Sequence, residues 1–341
     1  MTINIAIATY DAIVLGCDSL SSIVEQAILP FRYGDGVFAR DAQGNELIDA
    51  SGSKVVSLAN VQPFVTNVFG GAQKMFLLYE DDDTSVAAVT AGMATLSGVT
   101  IASVAARFRK KNTAEQASFT TARAVVEAFL TYTRAEWERQ FDFAQVPAEQ
   151  RPYLPDVQFI VGGYGKDDET AKVFKLSVCN ESVEEQFTWQ TRSGTCFGGQ
   201  ADFVERLLVG VDQRLIQGVN YRVYAEMGSY ASRLTAGFAE QLKQAGVEIP
   251  EGFQFDLQQE YIDLPWRDYV ANIDFANLPT QYAVDLVELL VNLQSGMQRF
   301  ANGVATVGGR THVGVLKRGE KFAMLNEPKL QHNHTGYSHD L

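Results

Sequence analysis

Apolar and polar residues alternate from the start of the chain. Ile3, Ile5 and Ile7 fall on one face of a strand over residues 3 to 8. Tyr10-Asp11 reads as a turn and Ala12 to Gly16 (AIVLG) as a short returning run, so the chain opens on a predicted β-hairpin. Residues 21 to 66 are strand-like but irregular, with turn signals at Gly34-Asp35-Gly36 and Gly44-Asn45. Lys74 to Tyr79 (KMFLLY) reads as a strand, Asp81-Asp82-Asp83 as a turn, and Ser85 to Ala91 as the next strand. Helical spacing follows over Val99 to Lys110. It recurs over roughly 120 to 141, where Val126, Phe129, Leu130, Thr133 and Trp137 share a face.

After a proline-rich connection (AQVPAEQRPYLPD), Val157 to Gly163 and Ala171 to Val178 read as a strand pair. Helices are predicted over about 201 to 214 and 221 to 244. Residues 281 to 300 form an apolar helix that looks covered on more than one side. Strands near 311 to 317 and 321 to 326 close the pattern, and 328 to 341 (PKLQHNHTGYSHDL) read as a flexible tail. Hairpins rather than strand-helix-strand crossovers indicate an α+β protein.

Composition narrows the function classes. The 341 residues carry 28 Lys and Arg against 41 Asp and Glu, a formal charge of −13. The densest basic run, Arg107 to Lys111 (RFRKK), reads as a solvated helix end, so no nucleic-acid partner is expected. Cys17, Cys179 and Cys196 are odd in number and match no metal-pair spacing, which fits a reduced compartment. The opening segment has no Lys or Arg and is interrupted by Asp11, unlike a signal peptide. No apolar run is long enough to span a membrane. A cytoplasmic protein with no cofactor and no metal is the expectation. His332, His334 and His339 fit a solvated tail better than a metal site, and His312 reads as structural. Cys17 abuts Asp18 but has no histidine placed beside it by the sequence.

Thr2 is the first candidate for chemistry. Removal of Met1 leaves it with a hydroxyl and a free α-amine, whose reference pKa of about 7.7–8.0 suits general-base work near neutrality. The segment that follows, TINIAIATYDAIVLGCDS, resembles the opening of proteasome β subunits and their bacterial relatives. There a catalytic Thr is followed by a strand, a turn, a second strand and then Asp-Ser. Asp18 stands sixteen residues after Thr2, at the family spacing, and the hairpin would return it to Thr2's side.

The resemblance implies an active-site lysine, and two compete. Lys54 (GSKVVSL) precedes an apolar run. Lys74 is the better match, because strand, acidic turn, strand and Ala91-Gly92 follow it as in the family's lysine-to-oxyanion-glycine segment, which makes Gly92 the oxyanion donor. Placing the lysine at 74 implies an insertion near 22–66 and points to a divergent bacterial branch. A second insertion falls near 218–277, within a single domain of residues 1–327. GTCFGGQADFVERLL and VATVGGRTHVGVL resemble later junctions. The family's supporting serine near Gly198-Gly199 is absent, and its supporting Asp and Ser would fall at Val304 and Val307.

The resemblance implies a four-layer αββα sandwich of two antiparallel sheets and a threonine-type peptidase. Peptides or unfolded proteins would be its substrate, a homo-oligomeric ring its assembly, and any ATPase partner stays unnamed. A small-amide hydrolase on the same fold and a non-catalytic ring subunit remain as alternatives; the missing Ser and Asp supports favour the latter.

Overall fold

A computed structural model describes residues 2–27, 37–57, 62–187, 193–247, 272–301 and 303–326. Its strands and helices run, in chain order, β1 Ile3–Ala8, β2 Ala12–Cys17, β3 Ser21–Ala27, β4 Gln62–Phe69, β5 Met75–Glu80, β6 Ser85–Gly92, β7 Thr95–Leu96, β8 Val99–Thr100, α1 Ile101–Ala114, α2 Ala122–Phe141, β9 Val157–Tyr164, β10 Lys172–Ser177, β11 Ser182–Glu185, β12 Gly194–Gly199, α3 Asp202–Val209, α4 Gln213–Gln244, α5 Thr280–Gln298, β13 His312–Lys317 and β14 Ala323–Met324. The tail expected at 328–341, with its three histidines, lies outside the described residues.

Two antiparallel five-stranded sheets form the body. One has the order β12-β1-β2-β13-β14 and the other β11-β10-β9-β6-β5. The alternation along β1 explains their stacking. Ala6 and Ala8 turn inward with Ile13, Leu15 and Cys17 of β2, and meet Met75, Ala87, Val89, Ile160 and Val173 of the second sheet in one buried cluster. Ile3, Ile5 and Ile7 face the other way and are also fully buried, on the sheet that α5 packs against. The outer face of the second sheet is covered by α1 and α2, through Val104, Phe108, Val125, Val126, Phe129 and Trp137. The layers are therefore helix, sheet, sheet, helix: the expected αββα sandwich.

Local chemistry sets the helix starts. Thr100 caps α1 by accepting from the Ser103 N–H, and Thr121 caps α2 by accepting from the Ala124 N–H. On α5, Ala283, Val284, Val287, Leu290 and Val291 are buried. Tyr282, Leu289 and Met297 are exposed, so the expectation of cover on more than one side does not hold among the described residues.

The described residues fall into two compact units: those up to Ala201 with those from Asp274 onward, and those from Asp202 to Ile273. In the second unit, Gly210 ends α3 and Asp212 starts α4 by accepting from the Leu215 N–H. The helices expected at 201–214 and 221–244 are thus α3 and a single 32-residue α4. Gly218, Gly228 and Gly237 lie inside α4, each costing only about 1 kcal/mol relative to alanine, which a long helix tolerates.

Residues 37–57, irregular by sequence, close on themselves. The Ala39 N–H donates to the Val55 carbonyl, the Val55 N–H to Leu47, and the Leu47 N–H to Ala39. Asp41 and Asp49 hold the two intervening turns, through N–H groups of Gln43 and Asn45 and of Ser51 and Ser53. The β3–β4 ladder flanks this segment.

Candidate active site

The hairpin turn is fixed by Thr9, whose hydroxyl oxygen accepts from the N–H groups of Asp11 and Ala12. With the turn set, Ala8 pairs Ile13 and Asn4 pairs Cys17. That register carries Asp18 back to the start of β1, where its Oδ1 accepts from the Ile3 N–H at 3.2 Å. Thr2 is one residue away and 5% exposed.

Asp18 is 1% exposed and its carboxylate is fully occupied. Oδ1 also accepts from Lys74 Nζ at 2.8 Å, while Oδ2 accepts from the N–H groups of Leu20 at 3.1 Å and Gly308 at 2.9 Å. A buried ion pair is costly unless its remaining lone pairs are satisfied; here three backbone donors do so. Lys74 immediately precedes β5 and is 6% exposed, and its carbonyl accepts from the Thr90 N–H. Burial pushes the Lys74 ammonium below the ordinary lysine range, and the charge of Asp18 and its hydrogen bond oppose that push. The result is a desolvated cation paired with the carboxylate oxygen that also holds the Ile3 N–H.

Lys54 goes elsewhere. It pairs with Glu46 at 2.7 Å and lies over the Phe38 ring, in the 37–57 segment.

Gly92 closes β6 with a left-handed φ of +90°, and a Cβ there would lie 2.4 Å from the Asp156 carbonyl oxygen. Its neighbour Ala91 lies against Gly199 of β12, and Gly199 lies against Thr2: a Cβ on Gly199 would be 1.9 Å from the Thr2 carbonyl oxygen. With φ +75° and that contact, no other residue fits at 199. Thr2, Asp18, Lys74 and the Ala91-Gly92 strand end thus converge on one corner of the sandwich.

Several residues of this corner carry no signal of their own in the sequence. The Gln200 N–H donates to the Thr2 carbonyl at 2.7 Å, and Thr306 donates its hydroxyl to Gln200 Oε1 at 2.8 Å. Ser19 exchanges contacts with the double-glycine loop: its N–H donates to the Gly308 carbonyl, and its Oγ accepts from the Arg310 N–H. The polar supports absent from the primary pattern have no substitute at Val304 or Val307. Thr306, between them, is instead the buried polar side chain of that loop.

The first sheet also sets His312 directly opposite Cys17. The histidine that sequence alone does not place beside Cys17 is therefore present. Cys17 is nonetheless no nucleophile, because burial, then the Asp18 charge, drives its thiol far above the ordinary range and keeps it protonated.

His312 is 2% exposed and its Nδ1 has no hydrogen-bond partner. Burial holds its pKa below the ordinary value; the Asp18 charge opposes this, and Lys74 and Arg310 reinforce it. Folded His312 resists a proton that the unfolded chain accepts below about pH 6.5. Its contribution to stability is present above that value and is lost as pH falls through the depressed folded pKa. Denaturant melts between pH 7.5 and 5.5 should show stability declining with acidification, and His312→Gln should flatten that decline. An unchanged slope in the variant would assign the decline to other groups.

Among the described residues no group of three or more His, Cys, Asp and Glu side chains could hold a metal, and no helix is long and apolar enough to cross a membrane.

No family model matches the chain, and no curated protein does. Solved structures are matched at low identity. The Anbu (Gly-1) mutant from Hyphomicrobium sp. strain MC1 is 10% identical, covers 95% of this chain and 87% of its own, and superposes with a TM-score of 0.45. Anbu from the same strain gives 10%, 95%, 85% and 0.45. Anbu (ancestral beta-subunit) from Yersinia bercovieri gives 8%, 95%, 87% and 0.44. The expected assignment to the bacterial proteasome β-subunit-like branch is corrected by these findings: these three solved structures are Anbu chains, and neither a family model nor a curated protein joins this chain to proteasome β subunits. Identities of 8–10% fix neither a family nor an activity for it.

Proposed function

We propose that the protein is an N-terminal threonine hydrolase that cleaves peptide bonds once Met1 has been removed. The observation that carries this reading is the Asp18 carboxylate, which joins the Lys74 ammonium to the Ile3 N–H next to Thr2. A buried cation at that position favours an alkoxide on Thr2 and keeps a neighbouring amine neutral. Thr2 Oγ1 attacks the scissile carbonyl carbon and gives its proton to the α-amine. The amine passes that proton to the leaving nitrogen as the C–N bond breaks. Water then attacks the acyl ester, its proton taken by the same amine; the acyl C–Oγ1 bond breaks, the amine returns the proton to Oγ1, and the carboxylic acid leaves with Thr2 regenerated. The Gly92 N–H is assigned to the oxyanion.

An electrophilic peptide probe directed at hydroxyl nucleophiles tests the reading. Intact mass should show one adduct per chain, and peptide mapping should place it on Thr2. An adduct elsewhere, or none at saturating probe, would overturn it. The alternative of a non-catalytic ring subunit is favoured by one observation: Val304 and Val307 are apolar where polar supports would serve catalysis.

Assembly with further copies belongs to this reading. Tyr282 at 63%, Leu289 at 57% and Phe300 at 84% exposure leave large apolar groups on and just beyond the outer helix. Light scattering should return a particle several times the 37.5 kDa chain, and Leu289→Arg should reduce it. A monomer at ~10 μM, within ordinary interface affinities, would count against assembly.

A further inference from the structure

We propose that Thr306 and Gln200 act as a positioning pair that fixes residue 2 for reaction. The inference rests on the threonine-hydrolase reading and names residues to which that reading gives no part.

The β1–β12 ladder ends at Ile3 opposite Gly199, one residue short of Thr2. Residue 2 is thus held only by what lies beyond the ladder. The left-handed turn at Gly199 aims the next N–H at the Thr2 carbonyl, and the Gln200 N–H donates there at 2.7 Å. This bond sets the carbonyl side of Thr2, and so the directions of the amine and hydroxyl carried on the same Cα.

Gln200, one residue past β12, is itself held from a remote part of the chain. Its Oε1 accepts the Thr306 hydroxyl at 2.8 Å. Thr306 is 1% exposed, so loss of the hydroxyl would take its buried donor away from that oxygen. Two residues on, the Gly308 N–H donates to Asp18 Oδ2, and Gly308 and Arg310 both engage Ser19. One short stretch, Thr306 to Arg310, therefore holds the anchor of Thr2 at one end and the anchor of Lys74 at the other. Its geometry fixes the distance between nucleophile and cation.

Thr306→Val keeps the side-chain shape and removes the hydroxyl; Thr306→Ser keeps the hydroxyl. In the full chain with Met1 removed, Thr306→Val should lower kcat about 10- to 100-fold on a fluorogenic peptide, the scale of a misplaced nucleophile. KM should stay unchanged, and Thr306→Ser should restore kcat. Hydrogen exchange at the Gln200 amide should quicken in Thr306→Val and not in Thr306→Ser.

Should Thr306→Val fold poorly, Gln200→Met removes the acceptor from a half-buried position instead and should reproduce the kcat loss. Where both variants fold, combining them should cost no more than either alone. Wild-type kcat in Thr306→Val, failure of the serine to restore it, or additive losses would each overturn the pair. If the wild-type protein turns over no peptide, the hydrolase reading fails by itself. Exchange at Gln200 then still decides the pair: dependence on the Thr306 hydroxyl supports it, and independence overturns it.

Discussion

Thr2→Ala, purified with Met1 removed, should hydrolyse a fluorogenic peptide at background rate. The substitution keeps the α-amine and deletes only the hydroxyl oxygen that would form the acyl ester. Cys17 does not replace it, because its buried thiol stays protonated. Thr2→Ser keeps a hydroxyl on the same backbone, whose carbonyl is held by the Gln200 N–H, and should retain measurable activity. An uncleavable N-terminal tag leaves the hydroxyl in place and turns the amine into an amide, which cannot accept a proton at neutral pH. Loss of a general base costs about 10²- to 10⁴-fold, well within the range of the assay. A tagged protein that cleaves as fast as the processed one would remove the N-terminal mechanism and leave only the αββα architecture.

The second large effect is expected at Lys74. Lys74→Ala should abolish hydrolysis and also lower stability, because the Asp18 carboxylate is left buried without its cation. Breaking a buried ion pair from one side costs about 3–5 kcal/mol. Three backbone N–H groups still donate to Asp18, which places the expected loss toward the low end of that range. Lys74→Met, which keeps the length of the aliphatic stem, separates the two effects: packing is retained while charge is lost, and hydrolysis should still vanish. Lys54→Ala is the control. Lys54 is more than half exposed, and its pairing with Glu46 lies in the 37–57 segment, so neither activity nor the melting temperature should move appreciably. Activity lost in the Lys54 variant and kept in the Lys74 variant would displace Lys74, and with it the assignment of Gly92.

The hairpin of β1 and β2 was legible because its information is local. Strict alternation fixed which face each residue took, and the Tyr10-Asp11 turn fixed where the chain reversed, so the return of Asp18 to residue 3 followed from register. The buried face of α2 was legible for the same reason, as a 3.6-residue period over Val126, Phe129, Leu130, Thr133 and Trp137. Boundaries governed by weak local preferences were not. The helix read over about 221 to 244 begins eight residues earlier, at Gln213, where Asp212 caps it. The self-closed segment at 37–57 looked irregular because its hydrogen bonds cycle among three short stretches instead of forming a continuous ladder.

The sequence by itself determined the α+β class and the opening hairpin, which follow from periodicity and local turn chemistry, while the candidate set of Thr2, Asp18, Lys74 and Gly92 came from a family resemblance over contiguous segments. Tertiary structure alone decided what surrounds that set. It placed Lys74, not Lys54, at 2.8 Å from Asp18 across 56 residues of chain. It set His312 opposite Cys17 from strands 295 positions apart, and it joined Thr306 to Gln200 across 106. No periodicity or spacing encodes such pairs. They exist because packing two sheets face to face brings strand ends from remote parts of the chain into one desolvated corner, where every polar group must find a partner or go without.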